Sequence, residues 1–155
     1  MSREADRTDI TEAMFRYARA TDWNQPQQHR TVFADDCVFA SPHSDDLHGV
    51  DAVVEWMEAV LPRFDATQHL IGNISIDFTG PDDATAVSYV RAWHRYTTDR
   101  PDLVLWGEYH DRWVRAADGW RIVERRVLTA GIDGTPDPGR RNPRRRPHAD
   151  ESLAR

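Results

Sequence analysis

The chain has 155 residues, a length that fits one domain, with 39% hydrophobic residues, six Trp and a formal charge of −6; that apolar and aromatic load excludes global disorder. All 20 basic residues are arginine, which rules out Schiff-base chemistry on a lysine and a Walker-type phosphate loop. Cys37 is the one cysteine, so there is no internal disulfide and no cysteine-cluster metal site.

The first segment, 4–22, places Ile10, Met14, Tyr17, Ala18 and Thr21 at helical spacing, with Asp22 at the end of the helix. Before it, MSREADRTDI has no apolar run of the kind that follows the charges of a secretion leader, so the cytoplasm is the expected compartment. No apolar stretch anywhere approaches the ~18 residues a membrane helix needs. Pro26 suits the first turn of a second, short helix to about Ala34. Residues 36–41 read as a short strand, and the turn-rich SPHSDDLHG follows. Residues 50–61 put Val50, Val53, Val54, Met57 and Leu61 on one face of a helix that Pro62 ends.

From Ala66 the period changes to two. Strands are expected over 66–79, 84–98, 103–116 and 119–131, broken by Gly80-Pro81-Asp82-Asp83, Asp99-Arg100-Pro101-Asp102 and Asp118-Gly119. The order predicts an α+β fold with helices on one face of a curved, mostly antiparallel sheet. In 84–96 one face carries Ala86, Ser88, Val90, Ala92, His94 and Tyr96; the other carries Val87, Tyr89, Arg91, Trp93 and Arg95. Aromatic and arginine residues of that kind favour an interface, so a homo-oligomer is expected, dimer and trimer both remaining open. In 119–131, Val123, Val127 and Thr129 share a face with Arg125. In 66–78, His69 and Ile71 are out of phase with Ile74, Ile76 and Phe78 unless a β-bulge lies at Gly72-Asn73; that bulge is predicted.

The domain is expected to end at residue 132. Residues 133–155 hold four Pro and six Arg with almost nothing apolar, and are expected to be disordered. Without them the body carries about −8, a charge that repels phosphate backbones, so nucleic acid is not the expected partner.

Three polar side chains point to the apolar side of the sheet, His69, His94 and Arg125, and Asp22 lies at the mouth end of the first helix. An imidazole held by a carboxylate is a general base whose second nitrogen faces a substrate, and an arginine beside it steadies developing negative charge. Tyr17 and Tyr109 offer a phenol or simply pack the core. Asp111, in register with Tyr109, lines the pocket or stands in a surface ion pair. His43, His48, Asp45 and Asp46 resemble a metal site in composition only, with no zinc spacing, and read as a solvated rim loop. His29 and His110 carry no signal, and Cys37, beside two acids, reads as buried and inert.

YARATDWNQ (17–25), FADDCVF (33–39), HGVDAV (48–53), TQHLIGN (67–73) and DGWRIVERR (118–126) together resemble the SnoaL-like branch of the nuclear transport factor 2-like superfamily, over about residues 5–131. The resemblance implies a cone-shaped α+β barrel around one apolar pocket, with no metal and no organic cofactor. Members include scytalone dehydratase, hexachlorocyclohexane dehydrochlorinase and polyketide cyclases. It implies an Asp22–His69 dyad, His94 at the dehydratase's second histidine, and Arg125 at the dehydrochlorinase's pocket arginine, with Arg126 one slip away. Tyr17 replaces a lysine and Phe39 a tryptophan of the dehydrochlorinase, and Thr21 a tyrosine of the dehydratase, so neither activity transfers whole. The expected function is a cofactor-independent lyase or isomerase, dehydratase- or cyclase-like, acting on a small apolar polyketide, terpenoid or aromatic. The alternative is a non-catalytic binding or assembly subunit of the same fold.

Overall fold

The computed structural model of the chain describes residues 2–42 and 44–134. The readings of His43 and of the tail beyond Gly134 lie outside them.

Helix α1 (Arg3–Asp22) starts where Ser2 caps it, its hydroxyl accepting from the Ala5 N–H at 3.3 Å, with Glu4 and Asp6 in the first turn. Acids there complement the positive end of the helix dipole. Ile10, Ala13, Met14, Tyr17, Ala18 and Thr21 are buried along one stripe of it, and Asp6 and Ala20 are buried too. The expected second helix is a 3-10 segment, Pro26–Thr31. It ends early because the Ile122 N–H donates to the Val32 carbonyl at 2.9 Å and Phe33 pairs with Ile122, drawing the chain into the sheet. Strand β1 (Phe33–Ala40) thus begins three residues before its apolar pattern marks it. β2 (Leu47–His48) and α2 (Val50–Val60) follow, and α2 buries Val50, Val53, Val54 and Met57 as its periodicity predicts.

β3 (Phe64–Phe78), β4 (Asp83–Tyr96), β5 (Leu103–Ala116) and β6 (Gly119–Asp133) form an antiparallel meander, and β1 joins β6 in parallel. The strand order is β2-β1-β6-β5-β4-β3, so the sheet is open, with β2 and β3 as edges. α1 nevertheless touches both β3 and β6, three strands apart, which a flat sheet does not allow. Curvature around the helix makes the cone. β6 continues to Asp133, which pairs with Val104, so the folded strand passes the expected boundary at 132.

Two bulges decide which side chains face inward. The β3–β4 register slips between Gly72 and Ser75, and Asn73 takes a left-handed φ of 48°. His69, Ile71, Ile74, Ile76 and Phe78 then share the covered face, as predicted, and Leu70 is 66% exposed. A second slip corrects the reading of β6: Trp113 pairs with Ile122 but Arg112 with Glu124. Val123 therefore does not share a face with Arg125; Ile122 is the residue buried above it. At a third slip, Gly107 is required, since a Cβ there would lie 2.4 Å from the Leu128 carbonyl oxygen.

The N-terminal end of α1 is clasped to the sheet. Asp6, 1% exposed, accepts from Arg115 Nη2 at 2.7 Å and from Trp120 Nε1 at 3.2 Å. Burial alone would raise its carboxyl, yet these donors hold it below the ordinary carboxylate value. Arg7 and Arg3 donate to the carbonyls of Ile76 and Gly80, each at 2.7 Å.

Candidate active site

Pinned at that end, α1 delivers its last residue, Asp22, to the start of β3. Thr67 and His69 stand two apart on the covered face of β3, and both reach it. His69 Nδ1 and Asp22 Oδ1 are 2.7 Å apart, Thr67 Oγ1 donates to the same oxygen at 2.9 Å, and the His69 backbone N–H donates to Oδ2 at 2.9 Å. A carboxylate only accepts, so the shared proton sits on Nδ1. Burial pushes the Asp22 carboxyl up, but His69, by side chain and backbone, and Thr67 outweigh it, and Asp22 stays below its ordinary value. Nε2 of His69 has no hydrogen-bond partner among the described residues.

His94 lies edge-on to His69, ring centroids 5.5 Å apart, and packs against Phe64 at 4.8 Å. It follows from the alternation of β4, where His94 pairs with Thr67 across the strands. Tyr96, two residues on, packs on the same Phe64, and its buried hydroxyl has no partner among the described residues. Neither Thr67 nor Tyr96 was singled out as a site residue by the sequence reading. Each carried a signal: Thr67 shares a face with His69, and Tyr96 with His94.

The other expected residues gather deeper. Arg125 is fully buried and forms a fork with Asp111, Nε to Oδ1 at 2.8 Å and Nη2 to Oδ2 at 2.7 Å. Its Cζ lies 4.3 Å from the Tyr17 ring centre and 4.2 Å from that of Tyr109, and the two rings meet edge to face at 5.6 Å. Asp111 thus stands in a buried ion pair, not a surface one, and Arg126 is the exposed neighbour. Burial opposes the Arg125 charge, but Asp111 outweighs it and holds the guanidinium protonated. Burial likewise raises both phenols above their ordinary value, so neither is a base. Of the three guanidinium nitrogens, Nη1 has no hydrogen-bond partner among the described residues. Phe39 pairs alongside Arg125 across β1 and β6, and packs on Phe33 and Trp56 at 6.1 and 5.7 Å.

His29 joins the two groups. Fully buried, it sits edge-on to Tyr17 at 5.2 Å, with Nδ1 2.9 Å from the Pro26 carbonyl and Nε2 3.2 Å from Thr21 Oγ1. Burial lowers it to about 4, so it is neutral at pH 7. Cys37 is buried and pushed up to about 11 by burial and Asp36, in line with an inert thiol. No group of three or more potential metal ligands occurs among the described residues, and none of their helices is long and apolar enough to cross a membrane.

Comparison with known proteins agrees with this architecture. The SnoaL-like domain model matches residues 2–126. An uncharacterized protein of Mycobacterium tuberculosis (strain H37Rv) is 30% identical over 128 residues, 78% of this chain and 83% of that protein. A crystal structure of a scytalone dehydratase-like protein from Novosphingobium aromaticivorans superposes with a TM-score of 0.86 at 29% identity, over 96% of this chain and 97% of that one. A hexachlorocyclohexane dehydrochlorinase from Novosphingobium barchaimii shares the fold at 15% identity, with a TM-score of 0.78 over 86% and 92%. The chain belongs to the SnoaL-like domain family and has the nuclear transport factor 2-like cone fold.

Proposed function

We propose that the protein is a cofactor-independent lyase or isomerase in which His69 is the general base for a small, mostly apolar metabolite. One observation carries the reading: Asp22 fixes the proton on Nδ1 of His69 and leaves Nε2 as an unshared lone pair beside a second imidazole. Nε2 takes a proton from carbon next to an electron-withdrawing group, and Asp22 stabilises the imidazolium that forms. The C–H electrons become the new double bond; a leaving hydroxyl departs as water with a proton from His94, whereas a leaving halide departs as the anion with the C–halogen electron pair. Two structural neighbours bear the names of eliminating enzymes, a scytalone dehydratase-like protein and a dehydrochlorinase, which favours elimination over ring closure. Any role for Arg125 toward the substrate runs through Nη1, because Asp111 occupies its other two nitrogens.

The test uses proton exchange. A panel of cyclic and aryl β-hydroxy ketones is incubated with the protein in D2O and read by mass spectrometry for water loss and for deuterium at the carbon α to the carbonyl. Either signal, present with the wild type and absent with His69→Ala, supports the reading. Signals that persist in His69→Ala overturn it. A retained small molecule with no exchange and no turnover would make this a binding protein.

A further inference from the structure

The chain turns back on itself directly after Asp22. Asn24 takes a left-handed φ of 51°, and the Gln25 N–H donates to the Ala20 carbonyl at 2.8 Å, closing the end of α1. The return lays the 3-10 segment Pro26–Thr31 against the helix and brings His29 to Thr21, the residue before the carboxylate of the Asp22–His69 pair. His29 and Thr21 are both polar and both buried, and a buried polar group persists where its bonds are made.

The bonds around His29 fix its proton. Nδ1 lies 2.9 Å from the Pro26 carbonyl, which only accepts, so Nδ1 carries the hydrogen. Burial, and after it the positive charges of Arg125 and of a protonated His69, keep the ring neutral. Nε2 is then an acceptor, and the Thr21 hydroxyl, 3.2 Å away, is its donor. That hydroxyl also lies 3.0 Å from the Tyr17 carbonyl one turn back, so its one hydrogen is shared between an acceptor inside the helix and one outside it. The outside bond ties the last turn of α1 to the segment that follows. A helix frays at its last turn, because the carbonyls there have no onward N–H. Thr21 and Asp22 are adjacent in that turn, about 100° apart around the axis. His29 therefore holds the turn on one flank while Thr67 and His69 draw on Asp22 from another.

We propose that His29 is a positioning residue: through Thr21 it fixes the last turn of α1, and so holds Asp22 where it keeps the proton of His69 on Nδ1. The consequence for turnover rests on the role of base proposed for His69 above; the consequence for that proton does not.

The proton can be read directly. The full chain, made with isotope-labelled histidine and observed by nitrogen NMR at pH 7, should show His69 as a single Nδ1–H tautomer, its signal assigned by its loss in His69→Ala. Thr21→Val, similar in shape but without the hydroxyl, and His29→Phe should each turn that signal into a mixture of the two tautomers while circular dichroism stays unchanged. Thr21→Ser should keep the single form. Deuterium uptake into the ketone panel should fall in the first two variants and persist in Thr21→Ser. A packing role alone lowers the melting temperature and leaves the tautomer as it was. That result in Thr21→Val overturns the proposal, even should His29→Phe fail to fold, and so does a wild type that already populates both tautomers. A tautomer that loosens in both variants of a protein that exchanges no ketone proton upholds the positioning role and removes the role of base instead.

Discussion

Asp22–His69 and Asp111–Arg125 are both short carboxylate–nitrogen pairs on the covered face of the sheet, one with an imidazole and one with a guanidinium, each with a contact of 2.7 Å. They differ in how open they are. Asp111 takes two of the three guanidinium nitrogens in a fork, both side chains are fully buried, and two phenol rings close on the cation. In the other pair the carboxylate collects three donors from one strand while the imidazole gives up only one of its nitrogens. The same chemistry of attraction makes a strut in one place and, on the proposed reading, a base in the other. Each pair leaves one nitrogen over, and what separates them is access: Arg125 Nη1 is sealed in the core, whereas His69 and Asp22 keep some exposure.

The sharpest way to break this distinction is to remove the base. His69→Ala should slow turnover by roughly 10²–10⁴, the scale of general acid–base catalysis. Asp22→Asn should lose a similar amount by misplacing the Nδ1 proton, and the double variant should be little worse than either, since the pair acts as a unit. The strut should answer in stability. Asp111→Ala strands a buried guanidinium and should cost about 3–5 kcal/mol in urea unfolding, whereas replacing both partners, Asp111→Leu with Arg125→Met, should recover most of it. A loss of rate larger than a loss of stability in Asp111→Ala would undo the comparison.

Smaller effects refine it. Asp22 is held below its ordinary carboxyl value in the fold, so its contribution to stability is complete at pH above the unfolded value of 3.8 and is lost as pH falls through the lower folded value. The melting temperatures of wild type and Asp22→Asn should therefore differ most near neutral pH and converge in acid. Thr67→Val removes one of three donors to Asp22. About 0.5–1.5 kcal/mol of stability is the expected loss, measured by the same unfolding assay.

Legibility in the sequence followed the visibility of the backbone irregularities. Gly72-Asn73 advertises a bulge, because Asn tolerates the left-handed conformation that Asn73 adopts, and placing that bulge was enough to bring His69 to the covered face and within reach of Asp22, 47 residues away. The slip at Val123 has no such marker. A β-branched residue gives no hint of irregular backbone, and counting by twos misassigned it. The same slip lies beside Arg125, which is why period alone left Asp111 between a pocket and a surface ion pair. The early start of β1 was invisible for another reason: it depends on a parallel partner, Ile122, some ninety residues downstream. Thr67 and Tyr96 were on the correct faces, but a hydroxyl on a covered face has no role until its neighbours are placed.

The clasp at the N-terminal end of α1 bears on Asp22 in a mechanical sense. Asp6 and Asp22 are sixteen residues apart on one helix, roughly 24 Å along its axis and, at about 100° per residue, on nearly opposite flanks. One is gripped by Arg115 and Trp120 from β5 and β6, the other by Thr67 and His69 from β3. Two grips on opposite flanks and opposite ends oppose both sliding and rolling of the rod between them. Torsional stiffness of α1 thereby becomes a determinant of where the His69 proton sits, and slack introduced at Asp6 is transmitted to the imidazole as a change of angle.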